Sequence, residues 1–223
     1  MNIRISQLVF EYPRRTFRLR IPELEIESGG RAAFVGPSGS GKTTLLRLLA
    51  GIRLPRSGRL TLGSVDVPAL NDAARRAFRV TRIGFVFQDF QLIDYLDVEE
   101  NIRLPFRINP ALKWSREVAA RADQLTEATG IGGLLKRGID QLSQGEKQRV
   151  ALCRALVTEP ELVLADEPTG NLDPAGKTRI LEILVDETRK RNATLVMVTH
   201  DRELLAGFPQ VVDFQSFHSP PAE

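Results

Sequence analysis

The chain has 223 residues, 42% hydrophobic and 26% charged, with a formal net charge of +3. That balance excludes a disordered chain, and the length suffices for one domain with a full core or two closely packed lobes. The mild basic bias suits phosphate binding or a place near an anionic membrane surface and does not by itself argue for nucleic acid.

The N-terminus, "MNIRISQLVF", lacks the longer apolar core and small-residue cleavage site of a signal peptide. "NIRISQLVF" and "RLRIPELEIE" contain alternating stretches that predict strands, and "RAAFVG" predicts a short buried strand ending in glycine. "KTTLLRLLAG" then predicts a helix closed by Gly51. "GRLTLGSVDV" returns to strand and "RIGFVFQ" is a further buried one. From about 89 to 160 the character is helical. The stretch 89–110 mixes aromatics with acids and is expected at the surface. "SREVAARADQLTEATG" places Val118, Ala122, Leu125 and Thr129 at helical spacing, and "GEKQRVALCRALVTEP" is a second helix stopped by Pro160. Trp114 is expected inside this helical lobe and Cys153 as core filler. "ELVLAD" is a strand, "DPAGKTRILEILVDETRKRN" a helix with Asp173 as N-cap and Pro174 at its first position, and "ATLVMVTH" a strand. The tail after Gly207 offers no clear pattern.

No apolar run approaches the ~18 residues of a membrane span. A single cysteine excludes an internal disulfide and suits a reducing cytosol, and with only two histidines there is no zinc constellation. Strands alternating with helices on both sides of a helical insert predict an α/β fold with a mostly parallel sheet.

Gly36 to Thr44, "GPSGSGKTT", matches the phosphate-loop pattern G-x-x-x-x-G-K-[ST], with a strand before it and a helix after it. Gly36, Gly39 and Gly41 let backbone N–H groups turn toward a phosphate, Ser38, Ser40 and Thr44 belong to the same loop and helix start, and the helix N-terminus adds its positive end. Lys42 is expected to reach the β- and γ-phosphates of ATP, and the Thr43 hydroxyl to ligate Mg²⁺. A second strand, "ELVLAD", ends in adjacent acids. Parallel strands deliver their C-terminal ends to one crevice, so Asp166 should face the Mg²⁺, and Glu167 should polarise the attacking water.

With these motifs in this order, the chain resembles the nucleotide-binding subunit of ATP-binding cassette (ABC) transporters over roughly residues 3–207. "LSQGEKQR" is similar to the family signature L-S-G-G-Q, with Ser143 and Gly145 matching while Gln144 and Glu146 depart from it. The resemblance implies that this face binds the γ-phosphate held by the opposite subunit. It implies that Gln88 contacts Mg²⁺ and water, that His200 in "VMVTHD" bonds the γ-phosphate, and that "GNLD" crosses the subunit interface. It also implies an adenine-stacking ring at Tyr12, with Phe10 and Phe17 open as alternatives.

The expected fold is therefore a phosphate-loop NTPase core with a mostly parallel sheet, N-terminal antiparallel strands and a helical signature subdomain. It forms one domain over 1–223, with 1–88 and 161–223 as the nucleotide-binding core and 89–160 as the helical part. The resemblance implies an ATPase that forms a homodimer around two ATP and drives a separate integral membrane permease, without nucleic acid. It would sit peripherally at the cytoplasmic face of the inner membrane. "FVFQDFQLIDYLDVEENI" with "DEPTGNLD" resembles the branch serving lipoprotein release and macrolide-type efflux. The alternatives are a cassette that signals across the membrane to cell-wall enzymes and a soluble cassette without transport.

Overall fold

The computed structural model describes residues 1–12, 17–170 and 172–219. In chain order its elements are β1 (Ile3–Glu11), β2 (Arg18–Ile26), β3 (Arg31–Val35), α1 (Lys42–Leu49), β4 (Ser57–Leu62), β5 (Val65–Asp66), α2 (Asp72–Arg82), β6 (Ile83–Val86), α3 (Val98–Ile108), α4 (Arg116–Thr129), α5 (Gln144–Leu156), β7 (Leu162–Asp166), α6 (Pro174–Lys190), β8 (Thr194–Val198), β9 (Gln210–Asp213) and β10 (His218–Ser219). One sheet is antiparallel, in the order β10-β2-β1-β4-β5, and the other runs β6-β7-β8-β3-β9 with every pairing parallel.

The two sheets follow their sequence patterns. β1 and β2 alternate apolar and polar residues because one face meets the core and the other meets water. The ladder between them skips Gln7 and Pro22, since proline has no N–H to give. β6, β7 and β8 are buried along their whole length, as a parallel sheet covered on both faces requires. Side-chain alternation then sends Phe34, Leu164 and Val196 to a core shared with the antiparallel sheet and α1. Ala33, Val163, Leu195 and Met197 go to a second core built with α3, α4, α5 and α6.

The helix expectations hold for α1, α4, α5 and α6. Ser115 caps α4, whose buried stripe contains Val118, Ala122, Leu125 and Thr129. Asp173 caps α6 by accepting from the Gly176 N–H at 3.2 Å, with Pro174 at the first helical position. Cys153 is fully buried 3.3 Å from the Thr129 hydroxyl, and burial pushes its thiol up to about 12, so it is core filler and no nucleophile. Trp114 packs against the second core, edge-on to Phe106 and under the Arg103 guanidinium.

Three features differ from the sequence reading. The stretch 89–110 is not all surface: Asp97 and Glu100 form a capping box that starts α3, and Val98, Asn101 and Ile102 are buried. Asn101 is fully buried because its amide bonds the Ile93 N–H and the carbonyls of Ile93, Leu96 and Asp97. α2 is an element beyond those predicted: the Asn71 side chain caps it, and Ala74, Ala77 and Phe78 form a half-buried stripe among arginines, with no residue fully buried. The tail folds back as β9 beside β3, which brings the fully buried Phe214 ring to 5.0 Å from Phe34. Phe214 also stands behind the phosphate loop, its Cβ 3.3 Å from where a Cβ on Gly36 would lie. Phe214→Leu is expected to lower stability by about 1–2 kcal/mol through lost ring contacts, read as a lower urea midpoint at unchanged slope.

Candidate functional site

Four neighbouring parallel strands carry the site. The phosphate loop follows β3, and Gln88, Asp166–Glu167 and His200 stand just at or beyond the ends of β6, β7 and β8. The register aligns Val86 with Ala165, Asp166 with Val198, and Phe34 with Val198, so these ends meet at one edge of the sheet. They line a cleft of about 770 Å³ with Tyr12, Phe17, Ser38, Lys42, Thr43 and Thr44 among its walls.

The loop has its shape because three of its residues lack side chains. Gly36, Gly39 and Gly41 have φ of 140°, 80° and 102°. A Cβ on Gly41 would stand 2.8 Å from the Phe17 ring, so glycine is needed both for conformation and for space. Gly41 is the N-cap of α1, and the first-turn N–H groups open onto the cleft where an anion would be favoured. Lys42 is buried at 8% exposure, and its ammonium donates to the carbonyls of Gly36 and Pro37 at 2.8 Å each. Burial lowers its pKa, and the nearby Glu167 and Asp166 charges act in the opposite direction. Ser40 is buried behind the loop, 3.4 Å from the same ammonium, and does not line the cleft.

The adjacent acids separate to different partners. Asp166 is buried and accepts from the Thr43 hydroxyl at 3.1 Å; burial raises its pKa, and the Thr43 bond opposes the rise. Glu167 takes a left-handed φ of 48°, held by its N–H bond to the Val198 carbonyl at 3.0 Å. That turn sends its carboxylate to His200, with Oε2 2.9 Å from Nδ1. A non-glycine residue in this region is strained, and such strain is kept where a site needs the side chain aimed. His200 itself is 74% exposed.

The aromatic alternatives separate by position. Phe10 is buried, edge-on behind Tyr12 at 4.9 Å, and does not line the cleft. Tyr12 and Phe17 both line it, and the Tyr12 hydroxyl lies 3.2 Å from Thr44 Oγ1. Arg53, which sequence reasoning passed over, places its guanidinium 5.8 Å from the Tyr12 ring.

Ser143 and Gly145 stand apart from this cleft on a different element. Ser143 is the exposed N-cap of α5; its hydroxyl accepts from the Glu146 N–H, and Glu146 Oε2 accepts from the Ser143 N–H at 2.7 Å. The glutamate that departs from the signature thus closes a capping box. Gly145 follows in the first turn, where a Cβ would stand 3.1 Å from Leu172 Cδ2. Gln144 lies at the first helical position, exposed and without positive φ. Asn171 of "GNLD" lies outside the described residues.

The donor set suits a hard cation beside a triphosphate. Thr43, Gln88 and Asp166 offer oxygens to one cleft, and among the described residues no cluster of three His, Cys, Asp or Glu could cage a metal alone. Mg²⁺ takes one or two carboxylates and fills its remaining positions with water and phosphate.

The family described as ABC transporter matches residues 19–170. The lipoprotein-releasing system ATP-binding protein LolD of Legionella pneumophila (strain Paris) is 41% identical over 191 residues, covering 85% of this chain and 83% of that protein. The macrolide export ATP-binding/permease protein MacB of Rhodopirellula baltica is 42% identical over 189 residues, 85% of this chain and 28% of that longer protein. Among solved structures, a dimeric bacterial ABC transporter cassette superposes with a TM-score of 0.86 at 30% identity, covering 95% of this chain and 93% of that one. A dimeric post-hydrolysis state of an ATP-binding cassette bound to ADP and Pi superposes at 0.87 with 27% identity, covering 99% of each.

Proposed function

The chain belongs to the ABC transporter family, and on that premise we propose that it works as a homodimeric ATPase subunit whose two ATP sites are each completed by the partner copy. The observation that carries this is a division within one chain. Lys42, Thr43, Gln88, Asp166, Glu167 and His200 surround one cleft, while Ser143 and Gly145 stand apart on an exposed helix start. A capped helix start facing outward can meet an anion held by another molecule.

In this reading the loop amides and Lys42 hold the phosphates, and Tyr12 or Phe17 offers a ring to the base. Thr43, Gln88 and Asp166 would hold Mg²⁺, which would supply positive charge to offset that of the phosphates. Glu167 accepts a proton from the attacking water, with its carboxylate steered by His200. His200 and the partner's signature face then bond the γ-phosphate.

The motion is passed to a separate membrane subunit, with the chain peripheral at the cytoplasmic face of the inner membrane. An apolar groove of about 500 Å³ lined by Phe85, Phe87, Leu104 and Ile108 supports this, since Ile108 is 66% exposed and the groove borders the Gln88 segment. The names of the relatives point to lipoprotein release or macrolide-type export as the work done.

Gel filtration of the purified chain with ATP under non-hydrolysing conditions tests the core of the proposal. An ATP-dependent shift to a dimer is expected, and a chain that stays monomeric while binding ATP would overturn it. Gln144→Gly is expected to change turnover by less than about threefold, because residue 144 already sits in an ordinary first turn that glycine is not needed for. A steady-state assay showing a change above about tenfold, or ~1.4 kcal/mol on the barrier, would place the side chain in the phosphate contact after all.

A further inference from the structure

His200 reaches Glu167, yet it is 74% exposed, so packing does little to hold it. Its place depends on its neighbours in the chain. On one side Thr199 is fully buried and its N–H bonds the Phe34 carbonyl at 3.2 Å. On the other side Asp201 is held by three contacts, the first being its own N–H bond to the Thr199 hydroxyl oxygen at 3.0 Å. Its Oδ1 accepts from the Glu203 N–H at 3.1 Å, and its Oδ2 meets the Lys177 ammonium at 2.7 Å. Lys177 belongs to α6, a different element from the turn that carries His200.

Lys177 is one helical turn beyond Asp173, and its N–H bonds the Asp173 carbonyl at 2.9 Å. The residue before Asp173 is Leu172, whose Cδ2 lies 3.1 Å from the point a Cβ on Gly145 would occupy. A Cβ at position 145 would press on the Leu172 side chain, which would have to give by a few tenths of an ångström. A continuous series of contacts therefore runs from the His200 turn through Lys177 and Leu172 to the start of α5.

We propose that Lys177 is a positioning residue: its ion pair with Asp201 fixes the His200 turn against α6, and the loop ahead of α6 links that turn to the Gly145 face offered to a second copy. This rests on the reading of Ser143 and Gly145 as serving the partner's ATP site. The pair then makes one unit of the groups that meet ATP in the chain's own site and those that meet it in the partner's. ATP bound at one site restrains the same unit that must close over the other.

The magnitudes separate positioning from stability. The pair is partly exposed, at 32% for Lys177 and 15% for Asp201, and such pairs contribute little to folding. Lys177→Gln should therefore melt within a few degrees of the natural chain. Its turnover should nevertheless fall about tenfold with the KM for ATP within about twofold, and the Hill coefficient for ATP should fall toward one. Lys177→Arg should restore most of the rate. Asp201→Asn can keep the bond to the Glu203 N–H, and it should match Lys177→Gln, with the double variant no worse than either single change. A Lys177→Gln rate within about twofold of the natural chain overturns the proposal, as does a loss that Arg does not rescue or that adds in the double variant. If the natural chain itself fails to hydrolyse ATP, the function proposed above falls and takes this inference with it. Normal turnover in the natural chain with no effect at Lys177 overturns this inference alone.

Discussion

The Glu167→Gln variant is expected to bind ATP as the natural chain does and to hydrolyse it about a thousandfold more slowly. That factor corresponds to ~4 kcal/mol on the barrier, within the range a positioned proton acceptor contributes. The site geometry explains why binding should survive. Glu167 points to His200 at 2.9 Å, away from Thr43, and Asp166 alone makes the bond to the Thr43 hydroxyl. A glutamine of the same shape can still bond the imidazole, and its backbone N–H still reaches the Val198 carbonyl. What it lacks is the basic carboxylate. ATP that cannot be cleaved should hold two copies together, so the variant should run as a dimer on gel filtration with ATP and as a monomer without it. Turnover within about tenfold of the natural chain would remove Glu167 from the role of base and leave His200 as the group to test next.

The parts of the fold that announce themselves are those with local physics. The phosphate loop needs glycines and a following helix, and the loop and the helix start stand within nine residues of sequence. The capped starts of α4 and α6 are also local, since Ser115 and Asp173 satisfy N–H groups three residues on. The buried parallel strands are legible as short apolar runs bounded by turns. The misses depend on partners far along the chain or on burial that hydropathy does not price. β9 becomes a strand only because β3 lies beside it, pairing Ala33 with Val211. Asn101 is polar, yet four hydrogen bonds to the preceding turn and helix start make its burial favourable. α2 meets the core only in part: its stripe of Ala74, Ala77 and Phe78 is short and set among arginines.

The same division runs through the site. Lys42, Thr43, Asp166 and Glu167 are found from motif and strand ends. The left-handed turn at Glu167 is not, because it is imposed by the neighbouring β8 strand through the Val198 carbonyl. That turn, together with Thr43 and His200, draws the two adjacent carboxylates apart. Glu146 looks like a lost glutamine by motif, but physically it completes the capping box that holds Ser143 in place.

Lys42→Ala is expected to raise the ATP dissociation constant by roughly 100- to 4,000-fold, since removing one partner from a buried charged contact costs about 3–5 kcal/mol. The lysine is 8% exposed and pinned at the loop, so its ammonium is already desolvated and needs little reorganisation to meet a phosphate. Among the described residues it has no direct carboxylate contact competing for it; its two close partners are neutral carbonyls of the loop. The opposing pulls on its pKa come from burial, which lowers it, and from Glu167 and Asp166, which raise it. An anionic phosphate in the cleft would add to the second effect and stabilise the charged form. The substitution has a structural consequence too, because the Gly36 and Pro37 carbonyls lose their donor, at a cost of about 1–2 kcal/mol to folding. Thermal melting without nucleotide measures that part, and isothermal titration measures the binding part. A melt that shifts slightly together with ATP affinity that collapses is the expected pattern. If affinity stays within about fivefold of the natural chain, the loop amides alone hold the phosphates and Lys42 serves only to brace the loop.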